Sequence, residues 1–286
     1  MNKQRLRHLL IGDFTVGRLV RSFFLIAVLV YGGFSLYAFF IAERIIFQPQ
    51  AASYKDSNRI LKLRSGDGVD IAAVYLPNPA ARYTILYSHG NSEDLGDIFS
   101  LLKSIRDLGF SVFAYDYRGY GTSSGTPSEK NAYRDADAAY AFLTDNLHIP
   151  TNRVIALGRS LGGAVAIDLA RRRRLGGLIV ESSFLSAYRV ITRIPLLPFD
   201  RFNSFEKIKD VRCPVLVIHG RRDEVIPFWH GEKLFREAQE PKRSLWVNNA
   251  GHNDLFEVAG KSYGRALRDF VALIEKSYPP VTTPGN

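Results

Sequence analysis

The chain has 286 residues, a formal net charge of +10 and one cysteine. A single cysteine excludes a disulfide bond within the chain. The positive charge does not indicate a nucleic-acid-binding protein, because the sequence contains no recognition-helix, RNP or zinc-ligand pattern. Part of the charge excess lies in the run of arginines at residues 171–174. This run fits two interpretations: cations that are favourable at the end of a helix, or a patch that faces anionic lipid headgroups.

Residues 23–42 form an uncharged run that is rich in Phe, Leu, Ile, Val and Ala. As a helix, this run would span about 30 Å, the thickness of the hydrocarbon core of a bilayer. A cleaved signal peptide would have a shorter apolar core and a small-residue cleavage site. The run instead ends with Phe-Phe-Ile-Ala before Glu43. We therefore expect one uncleaved transmembrane signal anchor.

Basic residues are concentrated before this apolar run. Five of them precede it against a single acidic residue, whereas few follow it. The positive-inside rule then predicts a single-pass membrane protein with a cytoplasmic N-terminus and the rest of the chain on the other side. About 240 residues remain after the anchor, which is enough for one domain with a sizeable core. The predicted organisation is a basic N-terminal segment (1–22), the anchor (23–42), a juxtamembrane linker (43–58), one α/β domain (59–278) and a C-terminal tail (279–286).

The remaining chain alternates between apolar, β-branched runs and helical patterns. This alternation predicts an α/β fold with a mostly parallel eight-stranded sheet and helices on both faces. A helix start signal at 126–129 predicts a helix at 132–147. In the loop that follows the fourth strand, we expect a buried pair between Asp116 and Arg118. The strands are predicted at 59–63, 69–76, 83–88, 111–115, 153–157, 177–181, 214–219 and 243–247.

The most informative motif is Gly158-Arg159-Ser160-Leu161-Gly162, which follows an apolar strand and precedes a helix-competent stretch. In this setting, G-x-S-x-G is typical of a nucleophile elbow, a strained turn that lifts a serine oxygen off the end of a parallel sheet. Glycines flank the serine because the backbones come close together and leave no room for Cβ atoms. An ordinary N-cap serine in a glycine-rich loop is the alternative. Ser160 is therefore the candidate nucleophile.

A serine nucleophile needs a base and an orienting acid, which follow in the order serine, acid, histidine in this kind of fold. Asp223 and His252 lie in loops after later strands, and such loops share one edge of a parallel sheet with the elbow. Among the six histidines, His252 is favoured as the base, because two others close strands directly before a glycine, where a structural role is usual. Glu181, at the end of an earlier strand, and Glu224 remain alternatives to Asp223.

Matching motifs run in order from about residue 88 to 256. They are His-Gly-Asn at 89–91, Asp-Tyr-Arg-Gly-Tyr-Gly at 116–121, the serine elbow, Asp-Glu-Val-Ile at 223–226 and Gly-His-Asn-Asp at 251–254. On these motifs the chain resembles the α/β-hydrolases, and within that superfamily it is similar to the membrane-associated depalmitoylases called alpha/beta-hydrolase-domain proteins.

The resemblance implies a catalytic triad of Ser160, Asp223 and His252. It also implies an oxyanion hole that is formed by the backbone N–H groups of Asn91 and Leu161, which would stabilise charge in the transition state. The chain departs from the best-known members, which attach to membranes through an N-terminal cluster of palmitoylated cysteines. An apparent transmembrane helix stands in place of that cluster.

Only about thirty residues separate Glu181 from Cys213, so we expect a short cap rather than a large cap domain. This stretch is apolar and aromatic, and it could either pack the edge of the fold or form a wall for an acyl chain. The candidate substrate-binding residues are Phe184, Leu185, Tyr188, Leu196 and Leu197.

The sequence therefore predicts a membrane-anchored serine hydrolase that cleaves carboxylic esters or acyl thioesters with an apolar acyl group through an acyl-enzyme on Ser160. The expected partners are the lipid bilayer and the substrate, which would be a lipid or an acylated protein. No metal, cofactor or nucleic acid is expected. A serine peptidase of the same fold is the alternative enzyme, and a catalytically silent membrane scaffold is the alternative from another class.

Overall fold

The computed structural model describes residues 16–192 and 196–277. The predicted C-terminal tail beyond residue 278, most of the basic N-terminal segment and residues 193–195 of the apolar stretch lie outside the described residues. The chain divides into two compact units, Met1–Ala42 and Glu43–Asn286. Each unit is described by itself.

The first unit contains most of one long helix, α1 (Val16–Ile46). Within the described part of the chain, α1 is the one helix that is long and apolar enough to cross a membrane. Its 31 residues span about 46 Å at the usual helical rise, which exceeds the roughly 30 Å of a hydrocarbon core. This helix fits the single-pass anchor that the sequence predicts.

The second unit is built around one eight-stranded sheet with the order β1-β2-β4-β3-β5-β6-β7-β8. The pairs β1/β2 and β2/β4 are antiparallel, and all other neighbours are parallel. The predicted fold class and all eight predicted strands are therefore confirmed, with strand ends within two residues of the prediction. The strands are β1 (Leu61–Arg64), β2 (Asp70–Leu76), β3 (Thr84–Ser88), β4 (Ser111–Tyr115), β5 (Val154–Arg159), β6 (Gly177–Glu181), β7 (Val215–Gly220) and β8 (Lys242–Val247).

Helices cover both faces of this sheet and create two hydrophobic cores. Successive residues of β3 alternate between them, because side chains along a strand point to opposite faces. Ile85 and Tyr87 pack with α2, α8 and α9, whereas Leu86 packs with α3, α4 and α7. A short cap with α5 and α6 lies between β6 and β7. The helices are α2 (Leu95–Asp107), α3 (Glu129–Ala141), α4 (Leu161–Arg172), α5 (Ala187–Thr192), α6 (Ser204–Lys207), α7 (Trp229–Glu237), α8 (Leu255–Ala259) and α9 (Lys261–Ser277).

The predicted start of α3 at residue 132 is wrong by three residues. The side chain of Ser128 accepts a hydrogen bond from the backbone N–H of Asn131 at 3.2 Å and caps the helix, so α3 begins at Glu129. After Ala141 the chain continues as a π-helical turn, Phe142–Asn146, which accounts for the end of the predicted helix.

The loop after β4 is ordered by a buried ion pair, but the predicted partner is wrong. Arg118 binds Asp135 on α3, with Nη2 and Oδ1 2.7 Å apart, and it also binds Asp67 at 2.8 Å. Asp116 instead accepts a hydrogen bond from the backbone N–H of Leu95 at 2.9 Å.

Residues 43–58, which the sequence predicts as a linker, lie within the second unit. Phe47 is only 4% exposed and belongs to one of the two hydrophobic cores. This segment is therefore part of the domain rather than a free connection.

The arginine run at 171–174 begins at the end of α4 and is largely paired. Arg172 binds Asp168 and Asp137 at 2.7 Å, and Arg173 binds Asp137 at 2.9 Å. These contacts favour the interpretation in which the cations stabilise the end of the helix over the one in which they face a lipid surface.

The turn between β5 and α4 combines a strained residue with very close backbone packing. Ser160 has φ 53° and ψ −117°, a region that residues other than glycine rarely adopt. A Cβ atom on Gly162 would lie 2.0 Å from the carbonyl oxygen of Ser88, and one on Gly158 would lie 2.0 Å from the carbonyl oxygen of Gly162. The two glycines allow α4 to start directly against the end of β3.

We expect Gly162→Ala to lower the free energy of unfolding by about 3 kcal/mol or more, because backbone has to move to accept the methyl group. Gly66→Ala is the matched control, since nothing lies within 4 Å of its Cβ position, and we expect a change of about 1 kcal/mol or less. Urea unfolding of the chain from residue 43 measures both. Equal stability of the two variants would contradict the close approach.

Candidate active site

The loops that carry Ser160, Asp223 and His252 follow β5, β7 and β8, respectively. These strands are parallel members of one sheet, so the loops after them lie at the same edge. The loops after β7 and β8 are also joined directly, because the backbone N–H of Arg222 donates to the carbonyl of Ala250 at 3.0 Å. The sheet and this link bring the three side chains together.

A chain of two hydrogen bonds connects the three side chains. His252 Nδ1 lies 2.8 Å from Asp223 Oδ2, and His252 Nε2 lies 3.2 Å from Ser160 Oγ. A carboxylate can only accept, so Nδ1 carries the proton, and Nε2 of the neutral ring accepts from the serine hydroxyl. This arrangement can take a proton from Ser160 when its oxygen attacks an electrophile.

Asp223 is held as a carboxylate by its surroundings. Its Oδ1 accepts hydrogen bonds from the backbone N–H groups of Val225 at 3.0 Å and Ile226 at 2.7 Å. Burial opposes ionisation, but these bonds and the hydrogen bonds from His219 and His252 hold the pKa of Asp223 well below its usual range. Asp223 can therefore orient His252 and stabilise a positive charge on it.

Within the described residues, neither alternative acid is hydrogen-bonded to His252. Glu181 Oε2 accepts a hydrogen bond from the Tyr263 hydroxyl at 2.7 Å, and its carbonyl oxygen accepts from the backbone N–H of Ser160 at 2.9 Å. Burial raises the pKa of Glu181. Glu181 thus supports the backbone of the elbow, and Glu224 is exposed, whereas Asp223 is the carboxylate that is bonded to His252.

Arg159, which the sequence reasoning did not single out, links three of the loops at this edge. Its guanidinium group binds the carboxylate of Glu93 in the loop after β3 and lies 3.9 Å from Glu181 at the end of β6. It also donates to the carbonyl of His252 at 3.2 Å and to Asn253 Oδ1 at 2.8 Å. Arg159 stands at the variable position of the elbow motif, so no sequence pattern points to it.

The two backbone groups of the predicted oxyanion hole lie next to each other in the fold. Leu161 is the first residue of α4, and Asn91 follows β3, whose end packs against α4. Within residues 16–192 and 196–277, the N–H groups of Asn91 and Leu161 donate to no acceptor. The start of a helix also carries a positive potential. Both groups are therefore able to bind a developing oxyanion, and this role stays a prediction.

The five predicted substrate-binding residues fall into two groups. Phe184 and Leu185 are buried in the hydrophobic core, where the backbone N–H of Leu185 donates to His230 Nδ1 at 3.2 Å. Tyr188 and Leu197 are half-buried, and Leu196 is 52% exposed. Only the second group is accessible to a ligand without movement of the core, and its role stays a prediction.

Other groups with potential chemistry are buried or dispersed. Burial raises the pKa of the Cys213 thiol to about 12, which is typical of a core cysteine and not of a nucleophile. Burial and the neighbouring His219 lower the pKa of His230 to about 4. Within the part of the chain that the structure describes, no group of three His, Cys, Asp or Glu side chains could hold a metal ion.

Known proteins resemble the chain in both fold and sequence. The family model described as "Serine aminopeptidase, S33" matches residues 79–198. An esterase from Pyrococcus furiosus superimposes with a TM-score of 0.67 at 18% identity over 79% of this chain and 98% of that chain. The fold and these likenesses define the protein as an α/β-hydrolase.

Two relatives specify the family further. Alpha/beta hydrolase domain-containing protein 17B of Xenopus laevis is 40% identical over 236 residues, which cover 81% of each chain. The human protein of the same name is 39% identical over 236 residues, again 81% of each chain. The chain belongs to the family of alpha/beta hydrolase domain-containing protein 17.

We expect Arg159→Leu to lower the free energy of unfolding by about 3 kcal/mol, because it leaves the carboxylates of Glu93 and Glu181 without their cation. Arg82→Leu is the matched control. Arg82 pairs with Glu275 at 2.7 Å but is 73% exposed, so its loss is expected to cost about 1 kcal/mol or less. Urea unfolding measures both variants, and a loss for Arg159→Leu no larger than the control would refute the linking role.

Proposed function

We propose that the protein is a membrane-anchored serine hydrolase that cleaves carboxylic esters or acyl thioesters with an apolar acyl group. The observation that supports this proposal most directly is the chain of hydrogen bonds from Ser160 through His252 to Asp223. The strained backbone of Ser160 at the start of α4 is a second support, because this geometry is typical of a nucleophile elbow.

In the proposed reaction, Ser160 Oγ attacks the acyl carbonyl carbon while its proton passes to His252 Nε2. The backbone N–H groups of Asn91 and Leu161 stabilise the oxyanion of the tetrahedral intermediate. His252 then gives the proton to the departing alcohol or thiol, and the acyl group stays on Ser160 as an ester. Water, deprotonated by His252, releases the carboxylic acid and restores the serine.

The apolar residues of the cap are the reason to propose an apolar acyl group in the substrate. The hydroxyl of Ser183 donates to the carbonyl of Ser160 at 2.8 Å, so the cap begins directly beside the proposed nucleophile. Tyr188, Leu196 and Leu197 lie further along the same stretch. A lipid ester or an acylated protein has the required chemistry, and the resemblance to the depalmitoylases favours an acyl thioester.

The bilayer is the proposed partner. Helix α1 supports a single-pass anchor, and the basic residues before it favour a cytoplasmic N-terminus with the hydrolase domain on the other side. In this arrangement the enzyme acts on acyl groups at the surface of the membrane that holds it.

A serine peptidase is the second candidate, and the family model that carries the description of an aminopeptidase favours it. The same three side chains can cleave an amide, provided that His252 protonates the departing amine. An octanoyl ester and thioester are compared with an aminoacyl anilide that carries a free amine, the kind of substrate an aminopeptidase takes. We expect turnover of the octanoyl substrates and none of the aminoacyl anilide, and turnover of the anilide would favour the peptidase.

The triad itself is tested by substitution. We expect Ser160→Ala to abolish both turnover and labelling by a fluorophosphonate probe, and Asp223→Asn to lower kcat by roughly 10⁴ because it favours the wrong tautomer of His252. Glu224→Gln is the matched control, since it changes an adjacent carboxylate, and it is expected to retain near-normal turnover. A larger loss for Glu181→Gln or Glu224→Gln than for Asp223→Asn would show that the acid is misassigned.

The acyl site is tested with p-nitrophenyl esters of increasing chain length. Each buried methylene can contribute up to about 0.8 kcal/mol, or about fourfold in kcat/KM, so we expect activity to rise from acetate to chains of about six to ten carbons. Replacing Leu196 and Leu197 together by serine should flatten the rise and spare acetate. Val271→Ser is the control, because Val271 lines a cavity with Tyr83, which precedes β3 and therefore lies at the opposite end of the strands from Ser160. A maximum at acetate would mean that the substrate is small.

The anchor is tested by membrane extraction. We expect the full chain to remain in membranes after alkaline carbonate treatment, because α1 spans the bilayer. A chain that begins at Glu43 should be soluble and active. Recovery of the full chain in the soluble fraction, or of a mature form that begins near Glu43, would refute a signal anchor.

A further inference from the structure

Residues 47–54, which we call the bracing segment, lie against the loop that carries Asn91. Phe47 anchors the segment in the hydrophobic core, where its ring packs against Tyr120 and Phe202 with centroid distances of 6.5 and 5.8 Å. Because Phe47 is buried, the backbone that follows it has a fixed position.

Gln48 connects this fixed backbone to Asn91. The backbone N–H of Gln48 donates to Asn91 Oδ1 at 3.0 Å and to the hydroxyl oxygen of Tyr120 at 3.1 Å. The same hydroxyl donates to the carbonyl of Asn91 at 2.7 Å. The side chain and the carbonyl of Asn91 are thus both held, whereas its N–H, the proposed oxyanion donor, is left to bind substrate.

The other end of the same loop is held by Ser53. Its backbone N–H donates to Asp94 Oδ2 at 2.7 Å, and its hydroxyl binds Asp94 Oδ1. Asp94 caps α2 by accepting from the N–H of Gly96 at 2.9 Å. The bracing segment therefore contacts the loop both at Asn91 and at the residue where the loop becomes a helix.

Tyr54 makes the third contact, which reaches the loop through Asp116. The hydroxyl of Tyr54 donates to Asp116 Oδ2 at 2.5 Å, and Asp116 Oδ1 accepts from the N–H of Leu95 at 2.9 Å and lies 3.3 Å from His89 Nε2. His89 is the first residue of the loop, and Leu95 is the first residue of α2. All three contacts of the bracing segment thus act on this loop or on its junction with α2.

We propose that the bracing segment, which follows the end of α1 directly, is a positioning element of the active site that sets the place of the Asn91 N–H. This inference rests on the proposed serine hydrolase function. The physical reason is that an oxyanion donor acts only on charge that develops in the transition state, so a small displacement lowers kcat and leaves substrate binding almost unchanged.

Proline at position 48 removes the donor together with the Gln48 side chain, and it restricts Phe47 to extended backbone. Gln48 precedes Pro49, which already restricts it to extended backbone that proline also adopts. Gln50→Pro is the matched control, because among the described residues the N–H of Gln50 donates to no acceptor, and the substitution removes only the side-chain hydrogen bond from Gln50 Nε2 to the carbonyl of Gln48 at 3.0 Å. Gln48→Ala is a second control, since it keeps the N–H and removes only a side chain that binds the carbonyl of Ile45.

The experiment measures kcat and KM of the full chain in detergent with p-nitrophenyl octanoate, with the concentration of active sites titrated by a fluorophosphonate. For Gln48→Pro we expect kcat per active site to fall about 10- to 100-fold while KM changes by about twofold or less. Gln50→Pro and Gln48→Ala should match the wild type in both parameters. Normalisation to active sites separates this effect from a loss of folded protein.

Tyr120→Phe provides an independent variant, because it keeps the ring beside Phe47 and removes the hydroxyl that Gln48 and Asn91 share. We expect a loss in kcat in the same direction. The double variant with Gln48→Pro should lose less than the product of the single losses, because both act through the position of Asn91.

Two results would overturn the inference: an unchanged kcat per active site in Gln48→Pro, or equal losses in Gln48→Pro and Gln50→Pro. Failure of the proposed function gives a different result. In that case the wild type shows no turnover, or Ser160→Ala retains it, whatever the proline variants do.

Discussion

The site depends on the close approach of α4 to the end of β3. Gly162 lies against the carbonyl of Ser88 with no space for a Cβ atom, and this contact fixes where α4 begins. Because α4 begins there, Ser160 takes the strained conformation that exposes its oxygen at the edge of the sheet. The same contact makes the start of α4 and the loop after β3 neighbours, so the proposed oxyanion donors come from adjacent backbone. Packing of the backbone thus determines the positions of both the proposed nucleophile and the proposed oxyanion donors.

Polar contacts then hold the loops that this packing leaves free. The guanidinium group of Arg159 links the loops after β3 and β8 to the end of β6. The loop after β3 is also held by the bracing segment. Each loop is therefore tied to at least one element other than its own strand. Such redundancy is expected where a donor has to be preorganised, because catalysis is sensitive to displacements of about 1 Å.

Much of the fold could be predicted from the sequence, because every strand between the two edge strands β1 and β8 is a largely apolar run whose limits are marked by glycine, proline or polar residues. That Ser160, Asp223 and His252 meet could be predicted for a similar reason, since each lies in a short motif next to a strand, and their catalytic roles stay a proposal. The partner of Arg118 could not be predicted, because Asp135 lies 17 residues away on a helix and tertiary packing selects it. The bracing segment could not be predicted either, since its polar contacts use backbone N–H groups and the hydroxyls of Ser53 and Tyr54, which belong to no motif. Arg159 occupies the variable position of the elbow motif, so no pattern marks it.

The central claim is that Ser160 forms an acyl-enzyme with the help of His252, and a long-chain β-lactone tests it most directly. Such a lactone acylates a nucleophile by ring opening and is released slowly, so the adduct can be located by mass spectrometry after digestion with pepsin at low pH. The expected result is one adduct, on Ser160, which forms at the rate at which activity is lost and is absent from His252→Ala. Loss of activity with the adduct on another residue, while Ser160 remains unmodified, would contradict the claim.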